Sequence, residues 1–108
     1  MAESWRSGRL IEYPSINTIA DGIGVRIPVP DALADMAGLV DDVVLVNDDV
    51  LIRSVRLSHE LMGLVVEPSG AAGFAALIAH PDRFRHQLAT TVITGGNSSP
   101  EEIRQWLS

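Results

Sequence analysis

Histidine does most acid and base work near neutral pH, and the chain has three, His59, His80 and His86. His80 and His86 stand on either side of a break at Pro81, and His59 belongs to a different segment. No pair has a metal-ligand spacing, and there is no H-E-x-x-H. Surface or capping histidines are the simpler reading. The pairs Asp41-Asp42 and Asp48-Asp49 could attract calcium, but the EF-hand order of Asp, Asn, Gly and a distant Glu is missing. Asp48 and Asp49 are read instead as compensating the positive end of a helix. A Walker loop needs a lysine, and the eight basic residues, Arg6, Arg9, Arg26, Arg53, Arg56, Arg83, Arg85 and Arg104, include none. Gly22-Ile23-Gly24 lacks the third glycine of a dinucleotide fingerprint. Ser69-Gly70 could hold an anion on free amides, although ordinary capping explains it more simply. With no cysteine there is no thiolate ligand, disulfide or thiol nucleophile. Residue types alone therefore assign no metal site and no catalytic residue.

The elements that would position such groups are bounded by composition. A chain of 108 residues with 46% hydrophobic and 20% charged residues is a single globular unit with one modest core. Fourteen acids against eight bases give a net charge of −6, which disfavours nucleic acid and anionic lipid. The start MAESWRSGRLIE is interrupted by Glu3 and Arg6, unlike a secretory leader, and the missing cysteines make cytoplasmic the default location. The longest stretch free of polar side chains, Gly70 to Ala79, falls short of the ~18 residues of a membrane span.

Ala2 to Ser7 reads as a helix stopped by Gly8. Thr18 to Ile27 reads as loop with a little strand, ended by Pro28 and Pro30. Asp31 can cap a short helix through Met36, closed by Gly38. Val43 to Val46 suits a strand buried on both faces. Asn47 caps the clearest helix, Asp48 to Met62, which Gly63 closes. Leu64 to Val66 is a short apolar run ended by Pro68, after which Ser69 would cap a helix over Gly70 to Ala79. So many small side chains there require a backbone that packs very close to something. Pro81 opens a helical turn through His86, and Thr90 to Thr94 is a β-branched strand. Ser99, Pro100 and Glu102 form a capping box for a last helix with Ile103, Trp106 and Leu107 on its apolar face. The expected class is α/β, a partial three-layer αβα unit with short parallel strands. Three short strands leave two open sheet edges, so part of the sheet is expected to lie elsewhere.

Three segments stand in a telling order: Thr18-Ile19-Ala20-Asp21-Gly22-Ile23, Val65-Val66-Glu67-Pro68-Ser69-Gly70-Ala71 and Ile93-Thr94-Gly95-Gly96-Asn97. Separately they are a loop, a strand-to-helix turn and a strand-ending turn. Together, with the helix end at Trp5-Arg6 and Gly8-Arg9, they resemble the threonine/serine dehydratase family of pyridoxal-phosphate enzymes, fold type II, over essentially the whole chain. The resemblance implies that Gly22 lies against one face of the cofactor ring, that Glu67 lies near the pyridine edge, and that the hydroxyl of Thr94 bonds the pyridine nitrogen. The family usually has serine at the last position, so threonine keeps the hydroxyl but adds a branch. A neutral hydroxyl does not pin a proton on the ring nitrogen as an aspartate would.

The family's Schiff-base lysine and glycine-rich phosphate loop have no counterpart here. The expectation is that residues 1–108 are the C-terminal part of a catalytic domain, inactive alone, with any regulatory domain lying beyond Ser108. In the complete enzyme the resemblance implies pyridoxal phosphate as cofactor, an amino acid as substrate, a homo-oligomer, and conversion of threonine to 2-oxobutanoate and ammonia. Serine dehydration and racemisation stay open. The alternative is a noncatalytic α/β remnant or interaction module.

Overall fold

A computed structural model describes residues 1–107. Among them are five α-helices, α1 (Ala2–Ser7), α2 (Pro30–Met36), α3 (Asp48–Met62), α4 (Ala72–Ala79) and α5 (Pro100–Leu107). Short 3-10 turns lie at Asp21–Ile23 and Pro81–Arg83. The longest helix, α3, is the spine, and both α4 and α5 pack on it. Its start follows from the Asn47 side chain, whose Oδ1 accepts the Val50 N–H at 3.0 Å. It ends where Gly63 turns left-handed.

The inward face of α3 carries Leu51, Ser54, Val55 and Ser58, all buried. Two of these are hydroxyls, and each is satisfied locally: Ser54 Oγ donates to Leu51 O at 2.8 Å and Ser58 Oγ to Ser54 O at 2.8 Å. Small satisfied side chains let α4 come close, with Ala71 and Ala75 fully buried against this face. Val55, Val66, Ala71 and Trp106 form one buried cluster, and Ala20, Leu51 and Ala75 form a second. Trp106 anchors α5 in the first, and Arg56 Nε donates to its carbonyl at 2.7 Å, satisfying an acceptor in the last turn of that helix.

The close approach expected of the glycine- and alanine-rich segment is present. Segment 91–94 runs over it so tightly that a β-carbon on Gly70 would lie 1.4 Å from the Thr94 carbonyl oxygen. A β-carbon on Gly73 would lie 2.0 Å from Thr91 Oγ1.

Several expectations need correction. The runs 43–46, 64–66 and 90–94, expected as parallel strands, form no β-ladder among the described residues, and 18–27 contains no strand either. A ladder requires a series of paired backbone bonds, and where the chain after 64–66 meets the chain after 90–94 the backbone bond is one long contact, from the Glu67 N–H to Gly95 O at 3.4 Å. Leu45, expected to be buried, is 63% exposed. Asp31 does not cap α2, which starts with Pro30 at its first turn behind Val29. Ser69 does not cap α4 either. The chain makes a turn over 68–71 in which the Ala71 N–H reaches Glu67 O at 3.1 Å, and α4 starts only at Ala72. The turn after Pro81 ends at Arg83 rather than His86.

The openness is measurable. The chain is a plate of 41 × 37 × 19 Å and exposes 7371 Å², against about 5,800 Å² for a compact protein of this mass. Its flank is stitched by polar contacts: Arg6 Nη2 donates to Val43 O at 2.7 Å, His80 Nε2 meets Leu45 O at 3.2 Å, and Arg83 pairs with Asp42.

Two tests follow from this packing. Gly70→Ala sets a side chain against backbone that cannot rotate away, so it should cost about 3 kcal/mol in denaturant unfolding. Gly73→Ala meets the Thr91 side chain, whose hydroxyl can turn aside and whose β-carbon at 3.2 Å must give by a few tenths of an ångström, so a gain in helix propensity of about 1 kcal/mol should leave it near neutral. On the flank, hydrogen bonds from Arg83, and then from the Val43 N–H, hold the Asp42 carboxyl below its ordinary value. A depressed carboxyl contributes stability above the ordinary carboxylate range and loses it as pH falls through the lowered value. Arg83→Gln should therefore move the Asp42 titration, followed by NMR, back up toward the ordinary range.

Candidate functional site

One groove of about 670 Å³ gathers residues from all three motif segments or their immediate continuation. Its first wall is the turn containing Asp21 and Gly22, placed by α3 itself. Thr18 Oγ1 donates to Asp48 Oδ1 at 2.6 Å, and the Ile19 N–H donates to Asp48 Oδ2 at 3.2 Å. Beyond this anchor, Ala20 is buried against Leu51 and Ala75, which leaves Gly22 exposed at the rim. Gly22 also faces Ser69: a β-carbon there would lie 2.9 Å from Ser69 Oγ.

The second wall is Glu67 with Pro68. Buried Val66 and Pro68 flank Glu67 and fix where its side chain leaves the backbone. The third wall is Asn97 to Pro100 with Glu102, at the start of α5. Here the expected capping box is present in both directions, with the Glu102 N–H donating to Ser99 Oγ at 3.2 Å and the Ser99 N–H to Glu102 Oε2 at 2.7 Å. Ser98 also lines the groove, and its Oγ is buried without a hydrogen-bond partner.

The structure thus brings Gly22 and Glu67 to one groove. Thr94 stands beside it rather than in its lining. Its N–H donates to Gly70 O at 3.3 Å and its carbonyl rests on the Gly70 α-carbon, so its position is set by backbone contacts. Asp21, Glu67 and Glu102 give the groove three carboxylates, and no arginine or histidine lines it. Such a surface suits neutral or cationic groups and repels a phosphate.

Two contributors escaped the reading of the sequence. Asp48, read as a dipole-compensating residue, is also the anchor of the Thr18–Gly22 segment, and its partners lie about thirty positions away, beyond any local signal. Ser98 offers an unpaired hydroxyl that nothing in Asn97-Ser98-Ser99 distinguishes from ordinary turn chemistry. Because Asp48 holds two donors and Asp49 holds the dipole alone, the neighbours should separate on mutation. Asp48→Ala should cost about 2 kcal/mol and speed tryptic cleavage at Arg26, whereas Asp49→Ala should cost about 0.5 kcal/mol and leave cleavage unchanged.

Comparison with known proteins identifies the family. A family model described as "Pyridoxal-phosphate dependent enzyme" matches residues 1–95. A serine racemase of Oryza sativa subsp. indica is 35% identical over 104 residues, covering 89% of this chain and 30% of the relative. A catabolic L-threonine dehydratase of Escherichia coli (strain K12) is 31% identical over 107 residues, covering 97% of this chain and 32% of the relative. Among solved structures, maize serine racemase superposes with a TM-score of 0.83 at 30% identity, covering 96% of this chain and 34% of that one. A threonine deaminase from T.th. superposes with a TM-score of 0.82 at 28% identity, covering 91% of this chain and 35% of that one. Both are α/β enzymes of fold type II, so the chain follows the path of an α/β fold although its own extended runs are unpaired. The chain spans about a third of the length of the relatives it matches. With its three motif segments converging on one groove and a family match over most of its length, the chain belongs to the pyridoxal-phosphate dependent enzymes.

Proposed function

We propose that this chain supplies the wall of a pyridoxal-phosphate site that faces the pyridine edge of the ring, in an enzyme acting at the α-carbon of a small hydroxy amino acid. The observation that carries the reading is the convergence of Gly22, Glu67 and the Thr94–Asn97 turn around one groove. Gly22 presents a rim without a side chain, suited to the flat face of a ring. Thr94 offers a hydroxyl that can donate or accept, so it can meet a ring nitrogen without forcing a proton onto it. When bound, the cofactor supplies an electron sink for charge developing at the α-carbon of the substrate.

The groove fits one end of that cofactor and not the other. The unpaired Ser98 Oγ and the open rim at Gly22 suit a neutral ring edge, whereas Asp21, Glu67 and Glu102 would repel its phosphate. No side-chain amine exists in the sequence to bind its aldehyde. Those two duties belong to residues outside this sequence. In this reading the complete enzyme is a cytoplasmic homo-oligomer converting threonine to 2-oxobutanoate and ammonia. Relatives named serine racemase and L-threo-3-hydroxyaspartate ammonia-lyase support racemisation and other eliminations equally well. The lysine-free composition favours a second reading, a noncatalytic module of the same fold.

The two readings separate by experiment. Alone, the chain should not deaminate threonine, and borohydride should fix pyridoxal phosphate to no side chain, because the sole primary amine is the α-amino group of Met1. Joined to a polypeptide that carries the lysine and phosphate loop of a relative, it should become active. In that enzyme Thr94→Ala should lower turnover roughly ten- to a hundredfold, and Thr94→Ser should be nearly silent. Full turnover in Thr94→Ala would reduce the segment to a turn, whereas a joined polypeptide that stays inactive would leave the module reading in place.

A further inference from the structure

We infer that Glu67 is a positioning residue whose carboxylate sets the Thr94–Asn97 turn, rather than a group that meets the cofactor. This rests on the reading of Thr94 above and deepens it. The turn is built on Gly95-Gly96, a pair with no side chains to hold it and more backbone freedom than any other dipeptide. Gly95 is left-handed at φ +67, so another residue there is strained. Such a segment keeps one shape only if both of its ends are tied.

Both ends are tied. At Thr94 the tie is the Gly70 backbone, through the bond from the Thr94 N–H to Gly70 O at 3.3 Å. At Asn97 the tie is Glu67, whose Oε2 accepts the Asn97 N–H at 2.9 Å. The rest of the carboxylate fills the space over Gly95: a β-carbon there would lie 2.4 Å from Glu67 Oε1 and 2.7 Å from Cδ. The Glu67 N–H also points at Gly95 O, at 3.4 Å. Glu67 thus grips the turn with its backbone and with its side chain, and a charged acceptor makes the second grip the stronger. Val66 and Pro68, both buried, keep the base of the side chain from swinging away.

The test is amide hydrogen exchange in the ¹⁵N-labelled chain, followed by NMR at Asn97 and Gly96, with the amides of α3 as internal reference. Glu67→Gln keeps an acceptor and should leave Asn97 exchange within about threefold of the wild type. Glu67→Met keeps the length without the acceptor and should speed Asn97 at least about tenfold while α3 is unchanged. If Glu67→Met loosens α3 as well, Glu67→Asp gives the same comparison, since it keeps a carboxylate but withdraws it from Asn97. Unchanged Asn97 exchange in the Met or Asp variant overturns the inference, as does an unprotected Asn97 amide in the wild type. No cofactor takes part, so this result stands apart from the Thr94→Ala result: a firm tie with a silent Thr94→Ala would fault the reading of Thr94 and not the role of Glu67.

Discussion

The fold depends on one contact between backbones, where the Thr94 carbonyl rests on the α-carbon of Gly70. No residue with a side chain fits at position 70, and the short distance fixes the depth at which segment 91–94 crosses the start of α4. From that crossing the chain has only three residues to reach Asn97, so the groove wall at Asn97–Pro100 is placed by the same contact. Ile93, next in line, packs on the cluster of Val55, Val66, Ala71 and Trp106, which ties the crossing to the core.

The spine α3 serves the groove from the opposite side. Its first residue, Asp48, holds the Thr18–Gly22 segment, while its buried serines admit α4 and so bring Glu67 to the facing wall. The same helix therefore determines the distance between Gly22 and Glu67 without contributing an atom to the groove lining. A negative surface results, because the groove is lined by the acidic side chains of three separate segments and by none of the arginines, which lie elsewhere on the molecule. The chemistry such a surface can do alone is recognition of a neutral or positively charged edge.

What could be read from the sequence divides by range. Asn47 at the start of α3 and the Ser99–Glu102 box were legible because donor and acceptor lie within three positions of each other. The need for close packing at the glycine- and alanine-rich segment was legible from side-chain size, although not the identity of what covers it. The strands were misread because β-branched runs such as Val43–Val46 and Thr90–Thr94 state a preference for extended backbone, whereas a ladder is made by a neighbour. Ser69 misled for a related reason: the Ala71 and Ala72 N–H groups turn to the backbone carbonyls of Glu67 and Ser69, and the Ser69 side chain makes no capping bond. Gly22, Glu67 and Thr94 were singled out by resemblance alone, since no local pattern joins residues so far apart. Asp48 was visible but only its local half, the helix dipole, could be inferred.

The plate-like shape has a thermodynamic consequence. At 19 Å thick, the molecule is two element layers deep, and much of what a compact chain would hide already touches water. Unfolding therefore uncovers about one seventh less surface than it would for a compact protein of equal mass. Heat-capacity change scales with newly hydrated apolar area, so stability varies less steeply with temperature, and the denaturant slope is shallower too. Any surface that covers the open side would restore the missing curvature along with the missing burial.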